Sequence, residues 1–231
     1  MDFDLLKRLC ETPGISGRED AMRRLVIDEL RPLVNEISID VMGNVVGLKK
    51  GSGGPRVMLA AHIDEIGFVV KLVDEKGFLR VQPVGGWDPR NMVCQRVYVH
   101  ASSGEVLLGA LMPAAKPVHM LTADEAGKAP KMEEFFVDVG LTADALKGRV
   151  EIGDPITMAR TTEKVGEMVL SKALDARVAV YVMVAALRQL GKHQCDILAV
   201  ATTQEEVGLR GATTSAFALE PNVGIALDST I

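Results

Sequence analysis

Apolar residues along the first quarter of the chain recur every three or four positions and then change to unbroken runs. The first spacing predicts an amphipathic helix that starts just after Ser16 or Gly17, near its N-cap, and has apolar residues at helical spacing over residues 22–33. Short strands are predicted between residues 36 and 48, and residues 57–61 are apolar throughout. A short run without polar positions is typical of a strand that is covered on both faces. This order of elements indicates an α/β sheet.

The middle of the chain has a different pattern. From residue 68 to residue 162, short β-type runs are separated by Gly, Pro and polar turns, without a long amphipathic helix. This spacing predicts a small β-barrel or sandwich. We therefore expect one α/β domain made of residues 1–67 and 163–231, interrupted by a β-rich domain over residues 68–162.

The α/β pattern returns after this insertion. An apolar helix is predicted over residues 173–190, and two further buried strands are predicted over residues 196–203 and 223–227. Open α/β sheets place their ligands outside the carboxyl ends of their strands. The residues that follow the buried strands are therefore the first candidates for chemistry.

Composition narrows the range of partners. The 231 residues are 48% hydrophobic and 25% charged, as in ordinary globular proteins, and the net charge of −5 argues against nucleic acid or an anionic membrane as a partner. No apolar run approaches the roughly 18–20 residues of a membrane helix, and the first residues lack a secretion signal. Cys10, Cys94 and Cys195 are widely spaced and form no CxxC pair. We expect a cytoplasmic protein.

His62 and Asp64 stand at the end of the first unbroken apolar run. In an extended segment, residues two apart face the same side, so Asp64 could hold the far nitrogen of the imidazole and fix the tautomer that binds a metal. A hydrogen-bonded histidine at a strand end explains the pair equally well. The pair alone does not decide between these interpretations.

Glu205 and Glu206 follow the second buried strand, where an uncompensated charge is costly. Adjacent side chains in an extended backbone diverge, so one glutamate could ligate a metal while the other acts as general base on a bound water. A solvated pair in a loop is the alternative. Divergence argues against a glycosidase pair, whose two carboxyl groups face each other across one sugar.

Asp175 and Asp228 complete the candidates. Asp175 heads the predicted apolar helix, where an N-cap is the simpler interpretation, although a carboxylate can also offer one oxygen to each of two metals. Asp228 ends the last predicted strand, where a turn aspartate is the alternative. Together with His62, the acidic residues form a set of hard oxygens and one imidazole that suits zinc, cobalt or manganese. The combination predicts a metal centre at one edge of the sheet.

The motifs around these residues closely resemble those of the glutamyl aminopeptidase family of dinuclear metallopeptidases, which includes the tetrahedral (TET) aminopeptidases and members once labelled endoglucanase. In chain order, the matching motifs are Leu-Cys-Glu-Thr-Pro-Gly-Ile-Ser-Gly, Ala-His62-Ile-Asp64-Glu65, Lys-Ala-Leu-Asp175, Gln-Glu205-Glu206-Val-Gly-Leu-Arg-Gly and Ala-Leu-Asp228. The resemblance covers essentially the whole chain. It implies a zinc-peptidase-like catalytic domain with a mixed α/β sheet and an inserted small β-barrel.

By this resemblance, the protein removes the N-terminal residue of peptides with two divalent metal ions per subunit. The implied metal ligands are His62 and Asp228 for one ion, Glu206 for the other, and Asp175 as the bridge. Asp64 would orient His62. Glu205 would deprotonate a metal-bridged water that attacks the scissile carbonyl. The inserted domain would assemble the chain into homo-oligomers, either dimers or dodecamers.

Two departures from the family pattern keep alternatives open. Ala176 stands where the family usually has an acid or an amide, and the family supplies one more histidine ligand downstream of the Asp228 position, whereas this sequence ends at Ile231. We therefore expect a C-terminally shortened chain that binds the Glu206 metal weakly and has little activity. A non-catalytic assembly or binding protein on the same scaffold is the second hypothesis. Glycoside hydrolysis, suggested by the paired acids and the old label, is the third.

Overall fold

The computed structural model describes residues 1–114, 118–120, 122 and 127–230. The chain forms two compact units, which we name the sheet unit (Met1–Glu65 and Thr161–Ile231) and the barrel unit (Ile66–Arg160). The boundaries expected from the sequence, after residues 67 and 162, lie two residues further along the chain. Within the described ranges, none of the helices combines the length and the apolar character needed to span a membrane.

The elements of the described residues are as follows. The α-helices are α1 (Phe3–Glu11), α2 (Asp20–Leu30), α3 (Ala143–Leu146), α4 (Leu174–Gln189) and α5 (Arg210–Leu219). The strands are β1 (Glu36–Ile39), β2 (Val45–Lys49), β3 (Arg56–His62), β4 (Gly67–Val73), β5 (Leu79–Val84), β6 (Gln95–His100), β7 (Val106–Pro113), β8 (Phe135–Asp138), β9 (Pro155–Met158), β10 (Glu163–Val165), β11 (Met168–Leu170), β12 (Asp196–Thr202) and β13 (Val223–Leu227).

The sheet unit contains a five-stranded mixed sheet in the order β1-β2-β12-β3-β13. β12 pairs antiparallel with β2 and parallel with β3, and β3 pairs parallel with β13. The three parallel strands end at the same edge, because Thr202 lies opposite His62 and Leu227 lies opposite Ala61. Residues that follow these strands are therefore brought together.

The unbroken apolar run of β12 is explained by its two covered faces. Ile197, Ala199 and Ala201 pack in one core with residues of α1, α2 and α4. Leu198 and Val200 point to the other side, where Leu219 of α5 packs against their cluster. Since successive side chains of a strand alternate between faces, both sets must be apolar. The predicted buried strand over residues 196–203 is confirmed.

The prediction that the third strand is buried is wrong. β13 forms as expected, but it lies at the edge of the sheet, and Val223 and Ile225 are 48% and 43% exposed. Among the described residues no strand pairs with its outer side. An apolar run therefore predicted the strand correctly and its burial incorrectly, since burial depends on what the fold places beside the strand.

The second helix also begins later than predicted. α2 starts at Asp20 with Glu19 as its N-cap residue, instead of Ser16 or Gly17, and it ends at Leu30. Residues before it form a turn in which the Arg18 N–H donates to the Ile15 carbonyl over 2.8 Å. The Ser16 hydroxyl is engaged elsewhere, as described below.

The barrel unit is a closed barrel with the strand order β4-β5-β8-β7-β6-β9. Its interior is filled by large apolar side chains, among them Phe68, Leu79, Val97, Leu111 and Phe135. Each strand gives alternate residues to this core, as the period of two requires. The predicted fold, a mixed α/β sheet with an inserted small β-barrel, is confirmed.

Candidate metal centre

His62 is the last residue of β3 and is only 3% exposed. Its Nε2 atom lies 3.2 Å from Oδ1 of Asp175. On the other side of the ring, Nδ1 lies 3.1 Å from the Asp64 carbonyl oxygen and 3.4 Å from Oδ1 of Asp64. The imidazole is therefore held through Nδ1 while Nε2 faces the acidic residues.

Asp175 reaches His62 because the start of α4 is not regular. Asp175 and Ala176 have non-helical backbone angles, so the regular helix begins after them. The Asp175 carboxylate extends from this irregular turn and is 61% exposed. The predicted helix start near residue 173 is therefore correct for the segment, but the aspartate itself stands outside the regular helix.

Asp228 follows β13 and completes a group of three possible ligands. One ligand atom from each of His62, Asp175 and Asp228 lies within 4.8 Å of the others. Nε2 of His62 is 3.9 Å from Oδ1 of Asp228. Among the described residues, Glu206 is not part of this group. One imidazole and two carboxylates are donors that divalent transition metals accept, so the donor set fits such an ion.

Asp64 has a wider role than the sequence indicated. It is fully buried, and its carboxylate accepts hydrogen bonds from the backbone N–H groups of Glu205 and Glu206 over 2.9 and 3.1 Å. The Ser16 hydroxyl donates to the same carboxylate over 2.5 Å. Burial raises the pKa of Asp64, but the hydrogen bonds outweigh this effect and hold it below its usual value. Asp64 therefore joins the end of β3 to the two glutamates.

The two glutamates lie in a turn, not in extended backbone as expected. Gln204 has a φ of 56°, and the N–H groups of Gly208 and Leu209 both donate to the Glu205 carbonyl. The turn directs the backbone N–H groups of Glu205 and Glu206 toward one acceptor, the carboxylate of Asp64. The carboxylate of Glu205 lies 3.9 Å from Nε2 of His62, and it is about one quarter exposed.

The acidic groups raise one another's proton affinity. Burial raises the pKa of Glu206 to about 7; the charge of His62 opposes the rise, and that of Asp175 adds to it. Burial also raises the pKa of Glu205. Burial lowers the pKa of His62, but the hydrogen bond and charge of Asp64 raise it to about 9. Several anions therefore share a small volume, where a cation would be stabilised.

Two supporting residues were missed by sequence reasoning. Ser16 was interpreted as a helix cap, although its hydroxyl donates to Asp64. Asn44 was interpreted as a strand residue; it is fully buried, and its Oδ1 accepts from the Thr203 N–H over 2.8 Å. In both cases a polar residue beside a turn indicated a side-chain hydrogen bond, but its partner lies far away in the sequence and could not be identified from local pattern.

The comparisons with known proteins agree with the fold and the motifs. The model of the M42 glutamyl aminopeptidase family matches residues 43–231. A lysyl aminopeptidase of Pyrococcus furiosus is 39% identical over 236 residues, which cover 100% of this chain and 67% of that protein. The chain thus spans about two thirds of the length of this curated relative.

Solved structures give the same result. An aminopeptidase of the archaeon Desulfurococcus kamchatkensis superposes with a TM-score of 0.91 and 42% identity, over 98% of this chain and 62% of that one. The TET1 peptidase of Pyrococcus horikoshii, which can assemble into a tetrahedron or a large octahedral shell, gives a TM-score of 0.86 at 28% identity, over 98% of this chain and 68% of that one. The resemblance inferred from the motifs is confirmed: the chain belongs to the M42 glutamyl aminopeptidase family.

Proposed function

We propose that this chain carries the metal centre of an aminopeptidase that hydrolyses the N-terminal peptide bond of peptides. The observation that supports this most is the group of His62, Asp175 and Asp228, which three separate segments bring within 4.8 Å. Two of them stand at the carboxyl ends of parallel strands, where catalytic groups of open sheets lie. Family membership supplies the reaction class.

In this proposal, the acidic residues and His62 are assigned to two divalent cations. His62, Asp175 and Asp228 would hold the first, and Asp175 with Glu206 would hold the second. When bound, such cations supply Lewis acidity that activates water and polarises a carbonyl group. Zinc and cobalt suit a site with one imidazole and several carboxylates, and manganese is compatible with the same donors.

Glu205 is the proposed general base. Its carboxylate lies 3.9 Å from Nε2 of His62, beside the proposed ligands and outside their group. Burial raises its pKa above the usual value, which brings a carboxylate closer to the neutral range where a base works best. Asp64 accepts the Glu205 N–H and so fixes the backbone of this residue. In the proposed role, the Glu205 carboxylate accepts a proton from water and returns it to the leaving amine.

The barrel unit is the proposed assembly module. Assembly into homo-oligomers, a dimer or a dodecamer, is the proposed role, and oligomerisation as such is supported by the TET1 relative, which can assemble into a tetrahedron or a large octahedral shell. The barrel has its own apolar core, so it can serve association without rearranging the sheet. Analytical ultracentrifugation of the chain and of a variant carrying a charge on the barrel surface, Leu108→Glu, tests this step, since Leu108 is 55% exposed.

The test of the proposed function separates metal binding from catalysis. Wild type and Glu205→Gln are titrated with Co²⁺ and assayed on aminoacyl-p-nitroanilides. We expect the variant to bind Co²⁺ with unchanged affinity and to lose about 100-fold to 10,000-fold in kcat, the usual contribution of a general base. Glu36→Gln, an exposed glutamate on β1, is the matched control and should behave as wild type.

Each failure of this test points to a different alternative. Equal turnover by wild type and Glu205→Gln would remove the base assignment. Co²⁺ binding without hydrolysis by wild type would support the non-catalytic assembly or binding protein. Cleavage of cellooligosaccharides in place of nitroanilides would support the glycoside hydrolase.

A further inference from the structure

A buried ion pair lies beside the proposed metal centre and takes no part in it directly. The ammonium group of Lys172 donates to both carboxylate oxygens of Glu65, each over 2.7 Å. The two side chains are 6% and 3% exposed. Burying two charges costs several kcal/mol per ion before their attraction is counted, and a well-packed apolar pair often stabilises a fold equally well. The pair therefore needs an explanation other than stability.

The position of the pair in the chain suggests that explanation. Glu65 comes three residues after His62, and Lys172 comes three residues before Asp175. The pair joins two segments that are 107 positions apart, and these segments carry His62 and Asp175, whose ligand atoms Nε2 and Oδ1 are 3.2 Å apart. Without such a link, the irregular start of α4 would be tied to β3 less directly.

Further contacts fix the Glu65 end of the link. Oε1 of Glu65 accepts from the Gly14 N–H over 3.2 Å, and the Glu65 N–H donates to the Gly14 carbonyl over 2.9 Å. A parallel bridge also pairs Glu65 with Ile15. The carboxylate thus has a fixed direction, and its two oxygens define where the ammonium group must lie.

The segment that carries Asp175 is held by Arg177, which lies two residues after Asp175 in α4 and is fully buried. Its Nη1 donates to the carbonyls of Leu9 and Thr12 over 2.5 and 3.0 Å, and its Nη2 is 3.6 Å from Oε1 of Glu65. In the sequence, Asp175 lies between Lys172 and Arg177, whose cationic side chains both approach Glu65. The backbone on both sides of Asp175 is therefore linked to Glu65.

We infer that Glu65 and Lys172 are positioning residues, whose ion pair sets the separation of His62 and Asp175 and so prepares the centre for a cation. The inference rests on the proposed function, because it gives the pair a role only if this centre binds a metal. Directional bonding over 2.7 Å to both oxygens is what such a role needs. An apolar pair of the same volume would fill the space without fixing the distance.

The test uses a variant that removes both charges together, Glu65→Gln with Lys172→Met, so that neither member of the pair is left as an unpaired buried charge. Arg177 loses the nearby carboxylate in this variant but keeps its hydrogen bonds to the Leu9 and Thr12 carbonyls. Co²⁺ affinity is measured by titration, and thermal unfolding is measured without metal. We expect the unfolding midpoint to stay within about 4 °C of wild type. The Co²⁺ dissociation constant should rise at least about tenfold, as when supporting residues of a metal site are lost.

The matched control removes an exposed ion pair of the same unit, Glu36→Gln with Lys50→Met, whose charged atoms are 2.5 Å apart. This control should keep wild-type Co²⁺ affinity. Should the buried double variant fail to fold, Lys172→Arg carries the same test, because it retains the charge and changes the geometry. Its Co²⁺ dissociation constant should also rise about tenfold.

Wild-type affinity in a folded variant of either kind would overturn the inference while leaving the proposed function intact. If wild type itself binds no Co²⁺, the proposed function fails, and the positioning role fails with it. A rise in the dissociation constant confined to the variants at Glu65 and Lys172 supports both. The two failures are therefore distinguished by the wild-type titration alone.

Discussion

Asn44 offers the sharpest test of how the sheet unit supports the glutamate turn. Its Nδ2 donates to Oδ2 of Asp40 over 2.7 Å and to the Gly211 carbonyl over 3.2 Å. Its Oδ1 accepts from the N–H and the hydroxyl of Thr203 over 2.8 and 3.1 Å. The orientation of the amide is unambiguous, because the carboxylate and the carbonyl require donors. Replacement with aspartate keeps the shape and removes both N–H donors; a single O–H donor remains when the new carboxyl is protonated.

The expected cost of Asn44→Asp follows from the charge that it would bury beside Asp40. The new carboxyl avoids repulsion by staying protonated in the folded state, whereas its unfolded pKa is about 3.9. Each pH unit above that value costs about 1.4 kcal/mol, which gives about 5 kcal/mol at pH 7.5 and about 2 kcal/mol at pH 5.5. Loss of the bond to Gly211 adds about 1 kcal/mol at both pH values.

The sign follows from linkage. The folded-state pKa of the introduced carboxyl is raised, so the folded protein binds more protons and stability falls as the pH rises. Urea unfolding followed by far-UV circular dichroism at both pH values measures the difference from wild type. Asn35→Asp is the control, since Asn35 is exposed and its Oδ1, which aspartate retains, accepts from the Lys50 N–H.

Two results would refute this reasoning. A destabilisation below about 1 kcal/mol at both pH values would mean that the buried donors contribute little. A large destabilisation of equal size at both pH values would mean that the introduced group is not held protonated beside Asp40. In either case the hydrogen bonds of Asn44 would not be what fixes Thr203 and the turn after it.

Three further predictions concern the same region. Ser16→Ala removes a charge-assisted hydrogen bond and should lower the free energy of unfolding by about 2 kcal/mol, measured with urea; no change would show that the hydroxyl is dispensable. Gly211→Ala places a methyl group against the side-chain oxygen of Asn44 and the backbone of Thr203, and it should cost at least about 3 kcal/mol by the same assay. Without metal, the raised pKa values of Glu206 (about 7) and His62 (about 9) mean that protons bind more tightly to the folded state. The midpoint of thermal unfolding of the metal-free protein should therefore fall as the pH rises from about 5 to about 9. A midpoint that rises over this range would contradict the raised pKa values of Glu206 and His62.

The sequence predicted most of the sheet because local patterns carry that information. β12 is apolar at the buried positions 197–201, and this run of Ile, Leu, Ala and Val predicts a strand between two layers. β8 and β9 have only four residues each, which is too short for alternation to stand out from the surrounding turns. The exposure of β13 was missed for a different reason. A strand at an edge and a strand in the middle can have the same composition, because the neighbours decide the burial.

The candidate centre shows the same division between local and distant information. Placing His62 at the end of an apolar run was a local inference, and the shared edge of the parallel strands then brings Asp228 toward it. Asp175 was harder, because it stands in an irregular turn before a helix and not at a strand end. From the residues alone an N-cap was the simpler interpretation and a metal bridge the alternative; the family motif favoured the bridge, and the structure has its oxygen 3.2 Å from the imidazole.

Supporting residues are the least predictable part, since their partners are set by the tertiary fold. Asp64 was expected to act on His62 alone, yet its carboxylate accepts the N–H groups of both glutamates about 140 positions away, at separations of 141 and 142. A turn that presents two adjacent N–H groups needs an anion at their focus. The same fold places a carboxylate there and four further acidic side chains nearby, those of Asp175, Glu205, Glu206 and Asp228. The cost of gathering these negative charges falls when a cation binds among them, so the acidic surroundings that weaken the metal-free protein at high pH are also what favours the metal.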